Sequence, residues 1–341
     1  MRRSTTGAIA GALAAMFFAE GVAADTKVLF NVFIPRKHPI FVGIIDSWAK
    51  RVAKATEGRV TVSYPASSLA PPPRQWGMVK KSIADAAMLY NPMEARRLKL
   101  RLMYELPLIG GSAEATGVAM NRVHKKYFAK ANEYKGVKFL GHFGYPAGHI
   151  HMRSKKVTTL ADLKNVKIRV GKNSGKMLAA LGGVPVPTPG ARGHEVISKG
   201  VVDGSVYSAG DIRAFKLIRY VKYTTLVPRG LSNAGFSILM NQRKWDGLSA
   251  KDKKAIESVS YEAIGRSGRR LDQLAAAAVV ALKKGGVDVS TASDALIGAM
   301  AKKLAFLETE WLASVKGTGV DGKAALAYYR AEVQKLMAGS K

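Results

Sequence analysis

The sequence predicts an α/β protein, and three observations carry that prediction. Apolar stretches of strand length alternate with stretches of helical period through residues 25–233; the alternation runs through two successive rounds; and from Ser249 onward the pattern is almost entirely helical. In the first round Val28 to Ile34 reads as a strand, and His38-Pro39 opens a helix whose apolar positions Ile40, Ile44, Ile45, Trp48, Val52 and Ala55 share one face. Val60, Val62 and Tyr64 alternate as a second strand. Pro71-Pro72-Pro73 breaks the chain before a helix ending near Ile83, and Asp85 to Tyr90 forms a third strand. A helix from Ser112 to Asn132 and a strand from Val137 to Phe143 complete the round.

The second round begins at His149. A turn at Thr159–Asp162 precedes a strand at Val166–Val170, helices at Ser174–Leu181 and Gly190–Lys199, and a strand at Gly204–Ser208. Gly235 to Asn241 gives one more strand. Ser249 with Asp252 three residues on has the spacing of a helix-start capping box, and the run that follows reaches Lys284 without a proline, broken at most at Gly265 and Gly268. Two further helices, about 292–316 and 321–337, end the chain. No Pro/Gly/Ser-rich linker separates the α/β units, so several crossing segments are expected to join them instead of one tether.

A chain of 341 residues has room for about two domains, and with 48% apolar residues it is neither a disordered chain nor a membrane protein. The 54 Lys and Arg against 24 Asp and Glu give a formal charge of +30, which calls for anionic company without saying which. The absence of cysteine excludes disulfides, thiolate catalysis and cysteine-ligated metal. Arg2-Arg3, the uncharged run from Ala8 to Ala19 and Val22-Ala23-Ala24 have the order of a secretory signal peptide spanning residues 1–24, with cleavage expected after Ala24. The mature chain would keep 52 basic against 23 acidic residues, +29, and be exported to the periplasm.

The motifs exclude more than they assign. Gly317-Thr318-Gly319-Val320-Asp321-Gly322 fits a dinucleotide fingerprint by letter but follows a helix where the fingerprint needs a strand, so it reads as an inter-helix loop. Gly171 to Lys176 is one residue short of a phosphate loop, and no nucleophile elbow or zinc-protease motif occurs. His149 and His151 share a strand face but have no acidic neighbour in sequence, so neither a metal nor a cofactor is expected. The basic cluster Arg153 to Lys176 lacks the aromatic residues of a nucleic-acid surface. An exported enzyme acting on an anion and a polyanion-binding protein stand as the alternative readings; the first lacks a recognisable nucleophile and base.

Arg169 stands apart within that cluster. It lies at the C-terminal edge of the strand Val166–Val170, where open α/β sheets place their ligands, and a guanidinium can hold a carboxylate through two parallel hydrogen bonds.

The stretch Val157 to Val170, followed by Met177 to Val186 and Glu195 to Gly204, resembles the extracytoplasmic solute-binding proteins of TRAP (tripartite ATP-independent periplasmic) transporters, the C4-dicarboxylate-binding type or solute-binding family 7. His38-Pro39, Thr56 to Val60, Glu105-Leu106-Pro107, Phe215-Lys216 and Phe236 to Asn241 with Trp245 support it over the whole mature chain. The resemblance implies a two-domain flytrap with a long helix crossing both domains: domain I at 25–146 plus 234–275, domain II at 147–233 plus 276–341. It implies a monomer that closes on a small organic acid, most simply a carboxylate, and delivers it to the permease subunits of a TRAP transporter. Arg169 falls on the ligand-binding arginine. A second arginine of sialic-acid-binding members falls on His149. Tyr90, Tyr207, Asn233 and Phe236 fall on strand ends that line the cleft, with His38 a further ligand-binding candidate. Ala209 and Gly210 stand where many members carry Trp and Glu, which predicts a wider or less polar pocket on that side.

Overall fold

A computed structural model describes residues 26–339, and the expected signal peptide lies outside the described residues. In chain order the strands are β1 (Thr26–Asn31), β2 (Val60–Ser63), β3 (Ala86–Tyr90), β4 (Val137–Gly144), β5 (His149–Met152), β6 (Lys167–Val170), β7 (Val184–Pro187), β8 (Gly204–Tyr207), β9 (Tyr223–Leu226), β10 (Gly235–Asn241) and β11 (Asp288–Thr291). They form two sheets, ordered β2-β1-β3-β10-β4 and β11-β9-β5-β8-β6-β7. Pairing is parallel except for β10, antiparallel to β3 and β4, and β5, antiparallel to β8 and β9.

Each sheet carries its own core. Phe30, Ile44, Trp48, Phe143 and Met240 bury the first; Ile150, Ile168, Leu178, Val206 and Met300 bury the second. The two lobes are joined where the chain leaves β4 for β5 and returns from β9 to β10. These segments run beside each other, with Gly148 N–H donating to Ser232 O (2.8 Å) and Tyr145 N–H to Ala234 O (3.1 Å).

Two helices add further connections. Helix Gly268–Lys284 places Leu271 in the first core and Ala278 and Leu282 in a cluster with Ile212 and Tyr207 of the second lobe. Near its N-terminus Asp272 accepts from Ala113 N–H (2.6 Å) and Glu114 N–H (3.0 Å), capping helix Ala113–Val123. Helix Asp294–Ser314 buries Leu296, Met300 and Leu304 in the second lobe, while Trp311 packs on Tyr104 and Leu326 in the first.

Several elements differ from the sequence expectation. The resemblance places the last helix, Gly322–Ala338, with 276–341 in domain II, yet Tyr329 and Val333 pack on Ala119 and Met120, and Arg122 pairs with Glu332. Strands β7, β9 and β11 were not anticipated. β7 contains Pro185 and Pro187, which read as breakers but are tolerated because β7 is an edge strand. The helical run from Ser249 breaks at Ser260-Tyr261, where Tyr261 (φ 51°) turns its N–H to Leu140 O of β4 (2.7 Å). Gly265 and Gly268, the expected break points, flank a second break, where one helix ends at Arg266 and the next begins at Gly268, and they also let helices touch: a Cβ on Gly265 would come within 2.6 Å of Gly117 C, and one on Gly268 within 2.5 Å of Ala113 C. Gly317 and Gly319 sit at positive φ in the loop before the last helix.

Candidate functional site

Arg169 lies on β6 and is 4% exposed. Its Nε (3.1 Å) and Nη2 (2.5 Å) donate to Thr188 O, and Nη1 (3.2 Å) donates to Val206 O. Three of the five N–H groups of a guanidinium are thereby placed on backbone carbonyls, which fixes the plane of the side chain and leaves two. The guanidinium carbon lies 3.9 Å from the centroid of the Tyr207 ring. Tyr207 is held in turn by donating to Gly190 O (2.8 Å), and its hydroxyl occupies the place a side chain on Gly193 would need.

Among the described residues no carboxylate forms a salt bridge with Arg169. Burial draws its proton affinity down, opposed by the electrostatic influence of Tyr207, Asp211 and Tyr90. A buried guanidinium without an ion-pair partner is costly, and a bound carboxylate would relieve that cost.

In the first lobe Tyr90, which lies within the electrostatic influence of Arg169, belongs to a cluster of aromatic rings. Phe236, at the start of β10, stacks on Phe143 (5.0 Å between centroids, 6° between planes) and touches Tyr90 (5.1 Å), its register partner at the end of β3. Tyr145 packs edge-on to Phe236 (6.4 Å) and stacks with His38 (6.3 Å). Tyr145 also reaches across the lobes: its hydroxyl donates to Asp211 Oδ1 (2.8 Å). Burial lowers the His38 pKa, and the Asp211 charge opposes that shift. Asp211 is itself fixed by the capping box of helix Ala209–Ala214, through the Ser208 hydroxyl (2.9 Å). The side that Ala209 and Gly210 were expected to leave less polar therefore carries a carboxylate one residue further on.

His149 and Asn233 lie at the crossing segments. His149 Nδ1 accepts from Val227 N–H (3.1 Å), and burial lowers its pKa to about 4, so the ring is neutral with its proton on Nε2. Asn233 Nδ2 donates to Leu106 O (2.9 Å), tying the return segment to the loop before helix Ala113–Val123. His151 is committed to Thr224 Oγ1 (2.9 Å) and Tyr207 O (3.2 Å), and the described residues hold no group of three His, Asp or Glu placed for a metal.

The sequence pattern does not mark Tyr145, Asp211 or Thr188 as site residues, and Glu105 enters it only within the Glu105-Leu106-Pro107 match. Tyr145 was accessible to the strand-end logic that selected Tyr90, since it directly follows β4. Thr188 contributes only a backbone carbonyl, which no side-chain pattern announces.

Two α/β lobes around a buried, unpaired arginine, joined by crossing strands and shared helices, define a solute-binding receptor. The chain belongs to the bacterial extracellular solute-binding protein family 7 (DctP), whose profile matches residues 30–312. It is 32% identical over 334 residues, 97% of each chain, to the outer membrane transporter protein TsaT of Comamonas testosteroni. A TRAP periplasmic solute-binding protein of Bordetella bronchiseptica with bound mandelate superposes with a TM-score of 0.84 at 30% identity, covering 91% of this chain and 99% of that one. A marine-metagenome TRAP protein specific for aromatic acids, in complex with 3-hydroxybenzoate, gives a TM-score of 0.82 at 27% identity, covering 92% and 99%. Extracytoplasmic binding of an organic anion for delivery to a TRAP-type membrane permease is the function of this chain.

Proposed function

We propose that the ligand is an aromatic monocarboxylate. Its carboxylate lies on the two remaining N–H groups of Arg169, and its ring lies among Tyr90, Phe236, Tyr145 and Tyr207, with His38 and Asp211 at the rim. The observation that carries the reading is the buried Arg169, positioned by Thr188 O and Val206 O, stacked on Tyr207 and, among the described residues, without a salt bridge. The mandelate and 3-hydroxybenzoate bound by two relatives support it. His149 and Asn233 act on closure, from the crossing segments, and do not touch the ligand.

The lobes close because the ligand bridges Arg169 on one side and the rings on the other. It therefore favours the closed form by the difference in its contacts with the two forms. The protein acts as a monomer, is released by cleavage after Ala24 and leaves its ligand chemically unchanged. The test is a thermal-shift and calorimetric panel of benzoate, mandelate, 3-hydroxybenzoate, succinate and a sugar acid. Aromatic acids are expected to bind with 1:1 stoichiometry and to be recovered intact; preferential binding of succinate would overturn the aromatic assignment.

A further inference from the structure

Beneath Tyr90 lies an acidic group that the binding scheme does not use. Glu105 Oε1 accepts from Gly235 N–H (2.8 Å), at the point where the return segment enters β10, and Oε2 lies 3.2 Å from Tyr90 Oη. Its other neighbours are uncharged: the Asn91 amide packs alongside Gly235, and Tyr329 approaches from the C-terminal helix. The charge of Arg229 acts on Tyr329 and that of Arg169 on Tyr90, and among the described residues Glu105 has no salt bridge. Tyr90 therefore touches this carboxyl and also lies within the electrostatic influence of Arg169. A phenol has one proton to donate, so its direction depends on whether Glu105 acts as acceptor or donor.

We propose that Glu105 is a positioning residue for ligand capture: as the acid its O–H donates to Tyr90 Oη, which frees the Tyr90 O–H to donate to the carboxylate held by Arg169. As the anion, Glu105 accepts from Tyr90 and withdraws that donor from the ligand. The proton leaves to bulk water, and no other group changes. Burial pushes the Glu105 carboxyl up to about 8, so the acid form is the resident one at neutral pH. The inference rests on the reading that Arg169 takes the ligand's carboxylate.

The test is calorimetric titration with 3-hydroxybenzoate between about pH 6 and pH 9.5. Wild-type affinity is expected to be constant up to about pH 8 and to weaken above it by up to about tenfold per pH unit, the limit for one linked proton. Tyr90→Phe should bind about ten- to a hundredfold more weakly at neutral pH, as expected for a lost hydrogen bond to a charged group, and show no alkaline fall. Glu105→Ala should weaken binding, while Glu105→Gln, which keeps a donor toward Tyr90, should rescue it with a flat profile. An alkaline fall that survives in Glu105→Gln, or a flat wild-type profile, overturns the proposal. An infrared difference spectrum between the two pH limits separates this failure from failure of the ligand reading, because it needs no ligand. A protonated-carboxyl band lost in Glu105→Gln sustains the acid form even if no aromatic acid binds, and its absence refutes it.

Discussion

Replacing Arg169 by lysine keeps the charge and changes the donor count, so it separates the two contributions. The arginine places three of its five N–H groups on Thr188 O and Val206 O and keeps two for a ligand. An ammonium has three donors; satisfying the same two carbonyls uses two of them and leaves one. One charge-assisted hydrogen bond is therefore lost, which costs about 1.5–3 kcal/mol. That corresponds to a Kd roughly ten- to a hundredfold weaker. Because Arg169 is 4% exposed, solvent screening does not soften this figure. The assay is isothermal titration with mandelate at neutral pH, with circular dichroism to verify that the variant is folded. An affinity within twofold of wild type would show that charge alone holds the ligand, and the argument from a positioned guanidinium would fail.

Gly193→Ala places a methyl group against the Tyr207 hydroxyl, displacing the ring on which Arg169 rests; binding should weaken, and stability should fall by about 1–3 kcal/mol in urea denaturation. Asp272→Ala removes the acceptor for the Ala113 and Glu114 amides and should cost about 1–2 kcal/mol in the same measurement, with little effect on affinity for a ligand held by Arg169. Burial lowers His149 to about 4 and His151 to about 3 from the ordinary 6.5. The unfolded chain therefore takes up protons first: the stability from their neutral burial is full above about 6.5 and is lost as pH falls toward those values. The melting temperature should drop between pH 7 and pH 4, and by less in His149→Gln; an equal drop in both proteins would refute the assignment.

Most of the first sheet was legible because its strands are apolar, alternating and bounded by Pro or Gly, as in Val60 to Tyr64 and Gly235 to Asn241. The unforeseen strands are four residues long, and two of them are edges: β7 is half proline, and β11 is polar. The kink at Tyr261 was invisible because its cause is the Leu140 carbonyl, far away in sequence. Arg169 was readable since a strand's end is a local property. The partners that give it meaning, Thr188 O, Val206 O and the Tyr90–Glu105 pair, arise from chain crossings. Gly265 and Gly268 are ambiguous in sequence, since the same residue serves a helix break and a helix contact.

Helix Asp294–Ser314 has Met300 set in one lobe and Trp311 in the other, and helix Gly268–Lys284 is likewise anchored at both ends. Mechanically this is a flexure and not a pin joint: the lobes cannot swing apart without bending two rods and two crossing segments together. Such a body has a preferred rest angle and a restoring force. Affinity then depends on how far that rest angle lies from the ligand-holding one. Substitutions along the solvent side of either rod should tune capture from a distance, by changing stiffness without altering a single contact to the ligand.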